Sequence, residues 1–240
     1  TVMQHCVVEY GGHTHNSNIY CDRSNPTIEN STIRYSSAHG IYLRGGTPSL
    51  RDNFVNANDG AGIYSDDGSN ALIAYNEISN NTASAINVAP NSVPKMSGNS
   101  GTDNGQNCIR VRGGHVGANG TWNSQALPYV IAGDVTVSHP NPTHTSNPKV
   151  TTLTIAPGSV IKFEPAIALY IGADHSWDGY GYWGAVKAAG TVEAPVIFTS
   201  SKDTPAGGDW KGIYFRDETW GSGTVMQHCV VEYGGHTHNS

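Results

Sequence analysis

Three consecutive stretches of this chain fall into register when written one beneath another: Asn25–Gly46, "NPTIENSTIRYSSAHGIYLRGG"; Thr47–Gly68, "TPSLRDNFVNANDGAGIYSDDG"; and Ser69–Pro90, "SNALIAYNEISNNTASAINVAP". The step is about 22 residues, at the short end of the solenoid range. It gathers Ile19, Ile41, Ile63, Ile86 and Ile109 into one column. The next column, Tyr20, Tyr42, Tyr64, Asn87 and Arg110, is polar-tipped and predicted to face outward. The one after it, Cys21, Leu43, Ser65, Val88 and Val111, is mostly apolar and predicted to face inward. That alternation has the period of two of a β-strand. Val8, Ile33, Val55 and Ile78 form a further column, and Asn53, Asn76 and Asn99 another, preceded in register by Ser31 and Cys6. No segment keeps a 3.6-residue period for three turns, and a β-sandwich would not hold Ile, Tyr and Asn in register over successive units. The pattern predicts an all-β solenoid of short parallel strands with coils of about 22 residues. A coil of this kind buries its inner face only by stacking on the next, about 4.8 Å away. Asn53, Asn76 and Asn99 are expected to hydrogen-bond along the axis and to satisfy turn backbone that would otherwise be buried unpaired.

The coils "PTIENSTIRYSSAHGIYL" and "ALIAYNEISNNTASAINV" resemble those of right-handed parallel β-helix repeat proteins, the pectate-lyase-like superfold. "TIAPGSVIKFE" at Thr154–Glu164, "AAGTVEAPVIFTSSKD" at Ala188–Asp203 and "WKGIYF" at Trp210–Phe215 are similar to the opening coil, Gly-Thr turn and entry strand of bacterial extracellular members. The resemblance implies one right-handed β-solenoid over residues 1–240 and an extracellular or cell-surface location. It implies no single activity, because this superfold carries lyases, hydrolases, adhesins and structural proteins.

A second, longer repeat is literal. "TVMQHCVVEYGGHTHNS" occupies Thr1–Ser17 and recurs at Thr224–Ser240, so the offset from position 1 to position 224 sets a 223-residue period. The chain has no initiator Met, no signal-peptide-like start and no polar or helical cap at either terminus, so the solenoid is expected to be uncapped at both ends. The second copy expects "NIYCDRSNPTIEN" to follow it, and in the first copy that stretch does follow. The chain therefore reads as one unit of a tandem array whose partner is itself, head to tail. About ten coils per period would rise roughly 48 Å. The competing reading is a fragment cut from a protein with two near copies.

The other candidates for function are sparse. A net charge of −6 and no run among the 13 lysines and arginines exclude a nucleic-acid face, and no apolar stretch is long enough to span a bilayer. Polysaccharide lyases of the superfold this chain resembles hold calcium with carboxylates and use an Arg or Lys as base, which makes Asp66 and Asp67, with Arg44 nearby, the weak catalytic candidates. Arg44 lies over Asp66 in the alignment, so a cross-coil ion pair is the ordinary alternative. His5, His13 and His15 are weak metal candidates without a carboxylate or thiolate at motif spacing. Trp177, Tyr180, Tyr182 and Trp183, supplemented by Trp122 and Trp220, could stack on sugar rings or simply pack. An oxidising compartment would allow a Cys6–Cys21 disulfide within one coil, leaving Cys108 single; the bland reading is buried free thiols. No cofactor is called for. A structural filament leads, ahead of a polysaccharide-binding or polysaccharide-degrading protein, and the balance is against an enzyme.

Overall fold

The protein, in a computed structural model, is described over residues 1–174 and 179–235. The chain forms two compact units, Thr1–Val111 with Gln125–Tyr129, and Arg112–Ser124 with Val130–Ser240. Among the described residues the regular structure is strand throughout, apart from short 3-10 turns such as Pro90–Lys95 and Gly221–Gly223.

In the first unit each coil lays down three strands in a fixed order. Val2–Gln4, Thr27–Glu29, Ser49–Arg51, Leu72–Ala74 and Met96–Ser97 stack into the first wall. The second wall runs from Val7–Glu9 through Thr32–Arg34, Phe54–Asn56 and Glu77–Ser79 to Ser100–Thr102. The third holds Ser17–Asp22, His39–Arg44, Ile63–Ser65, Ser84–Val88 and Gln106–Val111. All pairing is parallel and reproduces the columns of the sequence: Ile19 lies on Ile41, Ile41 on Ile63, Ile63 on Ile86 and Ile86 on Ile109. The inward column closes the core as expected, with Leu43, Val88 and Val111 fully buried. Each such aliphatic side chain contributes about 1.5–3 kcal/mol on burial.

The corners explain why the coil is so regular. Between the first and second walls one residue per coil takes a left-handed conformation: His5, Asn30, Asp52, Tyr75 and Gly98, with φ of 53°, 49°, 53°, 57° and 63°. Side chains other than Gly and Asn pay for that conformation, on the order of 1 kcal/mol each. The next residue supplies the compensation. The Cys6 N–H donates to Ser31 Oγ, Ser31 N–H to Asn53 Oδ1, Asn53 N–H to Asn76 Oδ1 and Asn76 N–H to Asn99 Oδ1, each at 3.1 Å. The expected Asn column is therefore a working ladder. A second ladder, not anticipated, stands at the next corner, where Ser36, Asn58 and Asn81 donate in turn to Asn58, Asn81 and Asn104.

The second unit is built alike but with longer coils. Gly114–Val116, Val135–Val137, Ala168–Ile171 and Gly212–Phe215 form one wall, and Gly120–Trp122, Thr151–Ile155, Gly184–Ala189 and Val225–Gln227 another. Val160–Phe163, Val196–Ser200 and Cys229–Val231 stack beside them. Here the short step fails: Leu153 pairs with Val186 and Tyr170 with Tyr214, each partner lying much further along the chain than in the first unit. The excess leaves the coil as excursions such as the antiparallel pair Thr143–His144 with Tyr180–Gly181. Five levels in the first unit and four in the second replace the expected ten among the described residues.

Candidate functional site

Over its described residues, 1–12 and 224–235, the repeated segment adopts one backbone path twice. Val2–Gln4 and Val225–Gln227 are both strands, His5 and His228 turn at φ 53° and 47°, Tyr10 and Tyr233 at 61° and 60°, and Gly12 and Gly235 at 105° and 97°. What differs is the neighbour. The first copy is covered by the coil that follows it: Met3 lies on Ile28 and Val8 on Ile33. The second is covered by the coil that precedes it: Met226 lies on Ala188 and Val231 on Phe198. One coil is thus displayed once with each of its two faces occupied. Its bare faces are apolar. In the first unit Met3, Ile19, Cys21, Ile28, Thr1 and Pro26 help to line an open concavity of about 450 Å³. In the second unit Val231 and Phe215 are half exposed, whereas Phe198 and Trp210 beneath this coil are fully buried. Trp210 stacks on Phe163 at 4.0 Å and its indole N–H donates to the Glu232 carbonyl, which fastens the second copy in place.

An outward aromatic ladder runs up the third wall of the first unit. Tyr20, Tyr42 and Tyr64 lie one above another, tilted against each other, with ring centroids 5.3 and 4.9 Å apart. His15 lies flat on Tyr20 at 4.7 Å and His39 on Tyr64 at 4.8 Å. In the second unit Tyr170 and Tyr214 repeat the arrangement at 5.3 Å, with the Arg216 guanidinium 4.0 Å over Tyr170.

The other sequence candidates separate. Arg44 pairs with Asp22 at 3.6 Å, so the expected Arg44–Asp66 ion pair is corrected. Asp66 instead turns Oδ1 to the N–H groups of Gly45 and Gly68, at 3.1 and 3.2 Å, which is turn chemistry. The hydrogen bond to Tyr20 and then the charge of Asp22 hold Arg44 above its ordinary pKa. Asp67 is exposed beside it. Among the described residues no three His, Cys, Asp or Glu side chains converge to hold a metal, so His5, His13 and His15 make no such centre. His5 is a corner residue, His13 lines a shallow hollow with Tyr10 and Tyr35, and His15 is engaged with Tyr20. The four cysteines are free thiols, and no Cys6–Cys21 disulfide forms. Cys6 Sγ donates back to the Gln4 carbonyl at its corner, while Cys21 stacks on Leu43 in the third wall. Burial pushes the Cys21 thiol up to about 11.

Of the aromatic cluster, Trp177 lies outside the described residues. Trp183 packs edge-on against Trp220 at 5.8 Å, and Trp122 is fully buried, which removes it from any sugar platform. Tyr182 donates its N–H to Glu218. Tyr180 is the half-exposed ring of the described cluster, edge-on to His144 at 5.2 Å.

The family described as "Right handed beta helix region" matches residues 1–121. The chain belongs to the right-handed β-helix family. No curated protein and no solved structure matches it. Within this β-helix the Asn ladders hold the coils, the Tyr ladder decorates one wall, and the most distinctive surface is the twice-displayed coil. No described helix is long and apolar enough to cross a membrane.

Proposed function

We propose that this β-helix is one period of a structural filament, in which solenoid units continue head to tail outside the cell or on its surface. The observation that carries the reading is the coil repeated at a 223-residue spacing, which keeps one backbone path while stacking once on a following coil and once on a preceding coil. Overlaying the two copies puts a neighbour on both faces, so strands and core run on without a break. A solenoid of this type draws its stability from nearest-neighbour stacking, and each added period extends the same interface. The expected material is a stiff fibre whose periods are identical. The extracellular placement rests on the likeness of the Thr154–Glu164 and Ala188–Asp203 segments to those of extracellular members.

Electron microscopy of the native material is the test. Eight to nine coils per period give an axial repeat near 40 Å at a strand spacing of ~4.8 Å. Discrete particles of one period's mass would overturn the reading. A polysaccharide-binding role is the second reading, favoured by the half-exposed ring of Tyr180 beside His144. Retention on a glycan array that Tyr180→Ala abolishes would favour it.

A further inference from the structure

We infer that, where one period meets the next, the join is keyed by two side-chain ladders, a tyrosine stack and an alternating charge column, in which Tyr214 and Arg216 of one period lie directly on Tyr20 and Asp22 of the following one. This rests on the filament reading and specifies its partner surface.

The repeated coil fixes which wall continues into which. Val225–Gln227 and Val2–Gln4 are the same strand, and the strand that follows in each copy maps likewise. After that, Gly234 bridges to Trp210, and the Gly235 N–H donates to the Lys211 carbonyl. The second copy has therefore reached the level of Lys211 when its described part ends, and the next strand of that wall is Gly212–Phe215. In the first copy the strand that follows is Ser17–Asp22. Continuation thus lays Ser17–Asp22 on Gly212–Phe215.

The side chains agree with that register. "GIYF" at Gly212–Phe215 meets "NIYC" at Asn18–Cys21, which already lies under "GIYL" at Gly40–Leu43 and "GIYS" at Gly62–Ser65. Aligning them joins the Tyr170–Tyr214 pair to Tyr20, Tyr42 and Tyr64 in one five-ring column. Two residues after Tyr214, Tyr20, Tyr42 and Tyr64 the charge alternates across the join: Arg216, then Asp22, Arg44 and Asp66. Arg216 already pairs with Asp174 at 3.5 Å, and Asp22 with Arg44 at 3.6 Å, so the new contact sets opposite charges against each other. A slip of one coil would set Arg216 against Arg44, and like charges directly opposite in a sheet are destabilising. The slot for Tyr214 is occupied in the chain alone. His15 lies flat on Tyr20 at 4.7 Å and Tyr42 tilts against it at 5.3 Å, without a ring contact to each other, so they lie on different sides of it. His15 is a placeholder that Tyr214 displaces.

The experiment uses two periods joined covalently through one shared copy of the repeated segment. Tyr214→Cys in the first period is combined with Tyr20→Cys in the second, and in a control with Tyr42→Cys in the second. Adjacent levels bring Cα atoms within disulfide reach, and a second level does not. The Tyr214/Tyr20 pair is expected to oxidise at least tenfold faster than the Tyr214/Tyr42 pair, with the link assigned by peptide mass against the native thiols and the fold checked by circular dichroism. Arg216→Glu in the first period is expected to slow that oxidation severalfold, more at low salt than at high. Equal rates for the two pairs, or faster oxidation of the control, would overturn the proposed keying while leaving the filament intact. Two separate bodies in micrographs of the unsubstituted tandem would instead overturn the filament reading itself.

Discussion

At Asn76 one buried side chain serves five hydrogen bonds. Its Oδ1 accepts from the backbone N–H and the side-chain amide of Asn53, and its Nδ2 donates to the carbonyls of Leu50 and Ala74 and to Asn99 Oδ1. Asn76→Ala strands the Asn53 N–H, and an unpaired buried group costs about 1–3 kcal/mol. With the contacts to Asn99 and to the Leu50 carbonyl also lost, the variant is expected to lose about 2–3 kcal/mol in equilibrium urea unfolding. Glu77→Ala next door, at an exposed position, is expected to stay within about 0.5 kcal/mol. Cys21 gives a residue-scale prediction in pH. Its thiol is raised by burial from 9.0 to about 11, so the folded state favours the neutral form. The contribution is complete below pH 9 and is lost as pH rises from about 9 to about 11, at most about 3 kcal/mol for two pKa units. Tyr129, pushed up to about 12 mainly by burial, extends the alkaline loss upward. Cys21→Ser is expected to flatten the stability profile between about pH 9 and 10, to reduce its slope between about 10 and 11 where Tyr129 also titrates, and to leave the slope above that unchanged. An unaltered profile would refute the assignment to Cys21.

Elements show what the sequence could and could not convey. The walls of the first unit were legible because every coil there repeats at one short period, and packing identical shapes on one another needs no other code. The Asn53–Asn76–Asn99 ladder was legible for the same reason. The Asn58–Asn81–Asn104 ladder carries the same 23-residue spacing and was open to the same reading. Alignment alone sets Arg44 over Asp66. Both Asp22 and Asp66 neighbour it in the stack, and the choice falls to Asp22 because the Gly45 and Gly68 amides claim Asp66. The second unit was illegible in detail because its excursions change length from coil to coil, and a fixed period cannot find Tyr170 beneath Tyr214. For want of that register the sequence leaves Trp122 between a sugar platform and packing, and it is core. An element-scale prediction follows from Trp210. Stacked on Phe163 and bonded to Glu232, it holds the second copy of the repeated coil. Trp210→Ala is expected to cost about 3–5 kcal/mol. Trp210→Phe keeps the stack and loses the hydrogen bond, and is expected to cost about 1 kcal/mol. Thermal melts of both variants separate the two contributions, and a loss for Trp210→Phe close to that of Trp210→Ala would show that the indole N–H dominates.

For the whole molecule, the twice-displayed coil supplies its own internal control. In a parallel ladder the N–H and C=O of one residue point to the same neighbouring strand, and successive residues point to opposite ones. In the first copy the Thr1 carbonyl accepts from Thr27 and the His5 N–H donates to Glu29, so Met3 also faces the following coil while Val2 and Gln4 face away from it. In the second copy the Gln227 carbonyl accepts from the Gly190 N–H, so Gln227 faces the preceding coil and Met226 faces away from it. Two segments of identical sequence should therefore show opposite protection from hydrogen exchange. Met3 is expected to exchange slowly and Gln4 at nearly its unprotected rate, whereas Gln227 is slow and Met226 fast. Local sequence cannot produce this contrast, because the intrinsic rates of the two copies match. Joining two periods through a single shared copy gives that coil a neighbour on each side, and both of its amides, Met and Gln alike, are expected to slow by at least a hundredfold relative to their unprotected forms. If the Gln4 amide of the shared coil stays fast while Met3 remains slow, the preceding period does not stack on it. The periods would then be beads on a string rather than one continuous solenoid.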